Sequence, residues 1–122
     1  MASKMYILIR ETVDTGHAIL AAAHASLGGY LTFVQHEMDE AGVRCFSEDF
    51  VAPTEVWAKE SFRKVVCKVN DDEFEKAKSY GVIGKDFRVM TESGLGGMEV
   101  AIVFKPRDDF EQFFKSLKLY RE

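Results

Sequence analysis

Residues 17–41 constrain this chain most, because helical periodicity runs through them for about seven turns. Ile19, Ala23, Leu27, Tyr30, Val34 and Met38 recur at helical spacing, and Leu20 and Leu31 widen the stripe. Asp14 and Thr15 are candidates for the N-cap, and Gly42 can close the helix in the left-handed conformation. Gly28-Gly29 weakens the middle by about 1 kcal/mol per Gly relative to Ala, so a break into two helices is one expectation.

The flanking segments read as strands and shorter helices. Residues 5–10, MYILIR, form a nearly all-apolar run, as in a strand buried on both faces. Residues 43–52 are irregular. Pro53 opens a short helix to Phe62, with Val56, Trp57 and Phe62 expected to point inward. Residues 64–69, KVVCKV, read as a second strand, and Asn70 and Asp71 cap a helix through Tyr80 that Gly81 ends. Residues 87–90 and 98–104 read as strands joined by the SGLGG turn, a connection short enough for a hairpin. Pro106 opens a last helix to Lys115, with Phe110, Phe113 and Phe114 on its inner side. Strands alternating with helices predict an α/β domain, a three-layer α/β/α arrangement on a mixed four-stranded sheet. At 122 residues the chain is one domain, residues 1–122.

Composition narrows the function classes. Cys45 and Cys67 are too widely spaced for a CxxC motif and read as reduced structural thiols. A net charge of -4 makes generic DNA binding unexpected, although a local basic patch can still meet RNA. No apolar run is expected to reach the roughly 20 residues that span a bilayer, so the expected location is cytoplasmic.

Chemistry is expected beyond the carboxyl end of the first strand, where Arg10, Glu11, Asp14 and His17 gather at the start of the long helix. His17 and His24 are seven residues apart and share a helix face, with Ala21 and Gly28 beside them and His36 on the opposite, solvated side. His17 reads either as a solvated first-turn residue or as a functional base. His24 reads as a hydrogen-bonded residue at the core margin or as a ligand contact. Two histidines with no evident third ligand predict no metal, and SGLGG lacks dinucleotide-binding spacing, so no cofactor is expected.

The segment AHASLGGY at residues 23–30 resembles the helix motif of the type 2 peptidyl-tRNA hydrolases. RKVVCKV at residues 63–69 is similar to that family's second strand, SGLGG falls at its Asp-Ala-Gly-x-Thr loop, and SLKLY at residues 116–120 resembles its C-terminal run. The resemblance covers nearly the whole chain in order. It implies a mixed four-stranded sheet with helices on both sides and metal-free hydrolysis of the ester joining a peptide to tRNA. The family's active-site Lys, Asp and Thr positions are His17, Glu92 and Gly96 here, and its Gln position is Ala21; Gly16, His24 and Gly94 persist.

The reading that follows is a divergent peptidyl-tRNA hydrolase-like protein acting on a peptide or acyl group esterified to tRNA. His17 is the expected base, Glu92 its orienting carboxylate, and the helix N-terminus the oxyanion donor. Arg10, Gly16, His24, Gly94, Gly96, Arg63 and Lys64 are the expected substrate contacts. Lys59 belongs to the same basic cluster as Arg63 and Lys64, and Lys85 with Arg88 forms another; solvated surface is the alternative for both. Two rival functions stay open: a hydrolase of another ester or amide, and a non-catalytic module binding tRNA or a protein. The expected partners are an acylated tRNA end and a second copy, paired through the Ala/Gly flank of the long helix.

Overall fold

Alternation along the first strand sets the layering. In β1 (Lys4–Arg10), Met5, Ile7 and Ile9 point to one face and Tyr6 and Leu8 to the other, and all five are buried. A strand with both faces buried needs cover on both sides. The structure, a computed structural model, describes residues 2–44 and 49–121; Cys45 lies outside the described residues.

The remaining elements are α1 (Thr15–Glu40), α2 (Pro53–Lys59), β2 (Arg63–Val69), α3 (Asp71–Ala77), β3 (Phe87–Glu92), β4 (Met98–Phe104) and α4 (Gln112–Lys115). The sheet order is β2-β1-β4-β3. β1 and β2 run parallel, whereas β4 is antiparallel to both β1 and β3. The fold is therefore an α/β domain on a mixed four-stranded sheet, as predicted. Met5, Ile7, Ile9, Ala101 and Val103 pack with α1 and Trp57 of α2 on one face. Tyr6, Leu8, Ile102 and Phe104 pack with Phe74, Phe110, Phe114 and Leu117 on the other.

The long helix forms without the expected break. Gly29 sits so close to β4 that an added Cβ would lie 2.8 Å from a Val103 methyl. The glycine therefore serves helix–sheet contact instead of interrupting the helix. Gly42, at φ 73°, follows the helix end as expected.

The inward face of α1 differs from the one predicted. Its sheet side is Ala18, Ala21, Ala25, Gly29 and Phe33, whereas Ile19, Leu20, Ala23, Leu27 and Leu31 are exposed. Periodicity weighted toward large apolar side chains selected the wrong stripe, because a helix lying this close to a sheet needs small residues at the contact. The Ala/Gly flank expected to meet a second copy is thus the sheet contact itself. Only the second half of the predicted stripe holds: Val34 and Met38 pack with Ala52, and the half-buried Tyr30 packs beside them.

Smaller differences have local causes. Val56 and Phe62 are exposed, and Trp57 alone of its trio is buried, its indole N–H donating to the Arg63 carbonyl at 3.1 Å. The last helix begins at Gln112, well after Pro106, yet Phe110 and Phe114 still fill the core. His36 is half-buried and paired with Glu40 at 2.9 Å, not solvated. By length and composition α1 could also cross a bilayer, contrary to the expectation that no run is long enough. Only a third of its most apolar window is buried inside the domain, the part that faces the sheet.

Candidate functional site

The connection from β1 to α1 is short and anchored at both ends. Glu11 N–H donates to the Val69 carbonyl at 2.8 Å, Val13 N–H donates to the Arg10 carbonyl at 3.1 Å, and the Val13 side chain is buried. Asp14 then takes an extended conformation as N-cap, and its Oδ2 accepts the His17 backbone N–H at 3.2 Å. Its other oxygen lies 2.7 Å from His17 Nδ1. One carboxylate thus caps the helix and orients the imidazole.

The hydrogen bonds from His17, side chain first and backbone next, hold the Asp14 carboxyl below its ordinary range. An ionised carboxylate only accepts, so Nδ1 carries the proton, and in the neutral imidazole Nε2 is the nitrogen with the lone pair. Asp14 is solvated, so this pairing orients the ring more than it stabilises the fold.

The second half of the site comes from the β3–β4 hairpin. A bulge at Met90/Thr91 leaves Val100 and Ala101 both in the core on the α1 face. Glu92 ends β3, and its Oε2 accepts the Gly94 N–H at 3.0 Å. A single turn, Ser93–Leu95, follows, and Gly96 and Gly97 take φ 70° and 82° to return the chain into β4. These left-handed positions suit glycine, so Gly96 has a backbone reason to be there, independent of any ligand.

Gly94 is where the two halves meet. A Cβ added there would lie 3.6 Å from His17 Nε2 and 3.5 Å from Glu92 Oε2. The imidazole lone pair and the carboxylate oxygen flank the same small space, left open by the missing side chain. Among the described residues no hydrogen bond or ion pair joins His17 to Glu92 directly. The carboxylate orienting the imidazole is Asp14, not Glu92. The signal for it was in the sequence: an N-cap Asp with His three residues on has the spacing of a capping box.

The other expected contacts are dispersed. His24 is exposed two turns along α1. Gly16 lies beside the Asp14 carboxylate, its absent Cβ 3.5 Å from Oδ2. Arg10 lies on the opposite sheet face, bonded to Asp71 at 3.1 Å and the Glu99 carbonyl at 3.0 Å and stacked over Phe74. Arg88 ties β3 to α1 through the Gly28 carbonyl at 3.0 Å and Thr32 Oγ1 at 3.1 Å.

Arg63 and Lys64 start β2, where the parallel register pairs Arg63 with Lys4, while Arg10 pairs with Val69 at the site's end. They therefore belong to the far end of the sheet. Lys64 lies over the Phe62 ring, and burial pushes its pKa down. Lys59 and Lys85 are exposed.

On the other flank of α1 a crevice of about 260 Å³ is lined by Ile9, Ala18, Ile19, Ala22, Val66 and Tyr120, almost wholly apolar. Among the described residues no group of three or more His, Cys, Asp or Glu side chains is arranged to hold a metal ion.

Taken together, these features define a mixed α/β domain with a histidine–carboxylate cluster at the start of its long helix. No protein-family model matches the chain, and no curated protein matches its sequence.

Proposed function

We propose that this chain is a divergent peptidyl-tRNA hydrolase-like esterase of the cytoplasm, cleaving the ester between a peptide or acyl group and tRNA. The observation that carries the reading is the shared space above Gly94, flanked by His17 Nε2 and Glu92 Oε2. The resemblance of the AHASLGGY and SGLGG segments to the type 2 hydrolases supports the choice of substrate.

A water in that space gives its proton to Nε2 as its oxygen attacks the ester carbonyl. Asp14, bonded to Nδ1, steadies the imidazolium that forms. Glu92 accepts the water's second hydrogen and so aims its lone pair. The tetrahedral oxyanion collapses, and the proton on Nε2 passes to the departing ribose oxygen. The N-terminal amides of α1 lie near the developing charge. The nearby Asp14 carboxylate offsets part of their field, which favours a modest rate.

A specific observation favours a second reading, a binding module without turnover. Arg10 and Arg88 are engaged within the domain, and Arg63 and Lys64 stand at the other end of the sheet. Few cations are left beside the cluster to meet tRNA phosphates.

The test is single-turnover cleavage of an N-acetyl-aminoacyl-tRNA. Wild type is expected to cleave it, and His17→Ala to lose 10²–10⁴-fold, the usual weight of a general base. Gly94→Ala is expected to lose at least about tenfold with unchanged melting, because its methyl fits at ordinary contact distance yet fills the water's place. Cleavage that survives both substitutions would refute the mechanism. Absence of both cleavage and tRNA binding in wild type would select a module for a protein partner.

A further inference from the structure

From residue 18 to residue 36 the outward face of α1 carries no charged Asp, Glu, Lys or Arg side chain. Along this stretch Ile19, Leu27 and Leu31 are 67, 63 and 55% exposed, Leu20 is 43% exposed, and Ala23 lies open between them. Ile19, Ala23, Leu27 and Leu31 recur every four residues, so they form one continuous ridge. Such a ridge is unusual on a surface, where single exposed apolar residues are common and contiguous apolar stripes are not.

We propose that this ridge is the interface of a two-fold homodimer, in which α1 of one protomer crosses α1 of its partner in antiparallel fashion. Symmetry fits the sequence. A two-fold axis at the level of residue 25 sets Ile19 opposite the partner helix's Leu31 position and Ala23 opposite its Leu27 position. Each large side chain at the centre then meets a small one, and the match repeats on the other side of the axis. Ridges of period four on both helices interlock at an angle of about -50°.

Charge selects a second copy over other occupants. A lipid surface or a nucleic acid would be held by Lys and Arg, and the face has none while the chain carries a net -4. A charged protein partner would find nothing to pair with. A second copy presents the same uncharged face, so no like charges meet.

A stable dimer needs on the order of 800 Å² from each partner; the four large side chains supply a few hundred of it, so the contact must extend beyond the ridge. The apolar crevice that shares Ile19 widens the contact at one end, while the groove beside Leu31 and Gly84, with Gln35, His36 and Asp39 on its wall, marks its edge at the other.

Sedimentation velocity over about 1–100 μM tests the proposal. Wild type is expected to sediment as a dimer that dissociates toward the low end of the range. Leu27→Glu is expected to be monomeric throughout, with an unchanged circular-dichroism melt because the side chain lies outside the core. Ala23→Arg, on the facing half of the contact, gives the same result independently. A wild-type monomer at every concentration would overturn the proposal. So would a dimer that both variants leave intact, or a monomer that co-sediments with phosphatidylcholine vesicles.

Discussion

At the scale of single residues, the chemistry of each group follows from what surrounds it. Asp14 is held ionised by His17, so the pairing is intact at neutral pH and is lost only as pH falls through the lowered Asp14 value. Cys67 is the opposite case. Burial first, and the nearby Glu73 charge second, push its thiol from 9.0 up to about 11. A raised thiol pKa favours the fold while the thiol stays neutral, so this contribution is complete below pH 9 and is lost as pH rises toward 11. Iodoacetamide at pH 8 is therefore expected to leave Cys67 unmodified in the native protein and to alkylate it in urea. Peptide mass mapping reads the difference, and rapid native labelling would contradict it. The low reactivity follows from both burial and the small thiolate fraction. Cys67 was legible as a buried thiol because it sits in an apolar strand. The role of Glu92 was only half legible: its place beside Gly94 was anticipated, but its distance from the imidazole depends on a turn whose shape composition does not reveal.

At the scale of elements, α1 shows what a pair of glycines does inside a helix. The two are neighbours in sequence but face different surroundings. An Ala at Gly29 would drive its methyl to 2.8 and 2.9 Å from the Val103 methyls, and a β-branched side chain in a packed strand cannot turn away. An Ala at Gly28 meets the Arg88 guanidinium at 3.0 Å and the Met90 methyl at 3.2 Å, both flexible ends that can shift. Each substitution gains about 1 kcal/mol of helix propensity. Overpacking at Gly29 costs about 1–3 kcal/mol and outweighs that gain. Gly29→Ala is expected to lower stability in urea titration, with Gly28→Ala at least about 1 kcal/mol more stable than it. Equal stability of the two variants would contradict the close approach of α1 to β4.

At the scale of the whole molecule, a buried carboxylate ties three elements together. Glu37 lies on the inner side of α1 with its side chain only 5% exposed. It accepts the Thr54 N–H at 3.0 Å and the Thr54 hydroxyl at 2.9 Å, both at the start of α2, and pairs with Lys105 at 3.0 Å just past β4. The Thr54 amide is one that a helix start leaves without an internal partner, so Glu37 supplies what α2 lacks. Glu37→Ala strands the amide, the hydroxyl and the cation together, and a loss of about 3–5 kcal/mol is expected in denaturant unfolding. Glu37→Gln, which keeps an acceptor, is expected to lose less. If Glu37→Ala unfolds at the wild-type midpoint, the bridge holds nothing. This link was not legible beforehand, because a Glu near a helix end reads as solvated until α2 folds over it.

The order of strands and helices, the both-sided burial of β1, the N-cap at Asp14 and the stop at Gly42 were all written in the sequence. Each depends on side chains within a few residues of one another, and short-range sterics and hydrogen bonding decide them. Tertiary structure alone decided which face of α1 turns inward, which end of the sheet holds Arg63, and how near Glu92 comes to His17. Those outcomes depend on how closely a helix can approach a strand and on strand register and loop path, which bring together groups far apart along the chain.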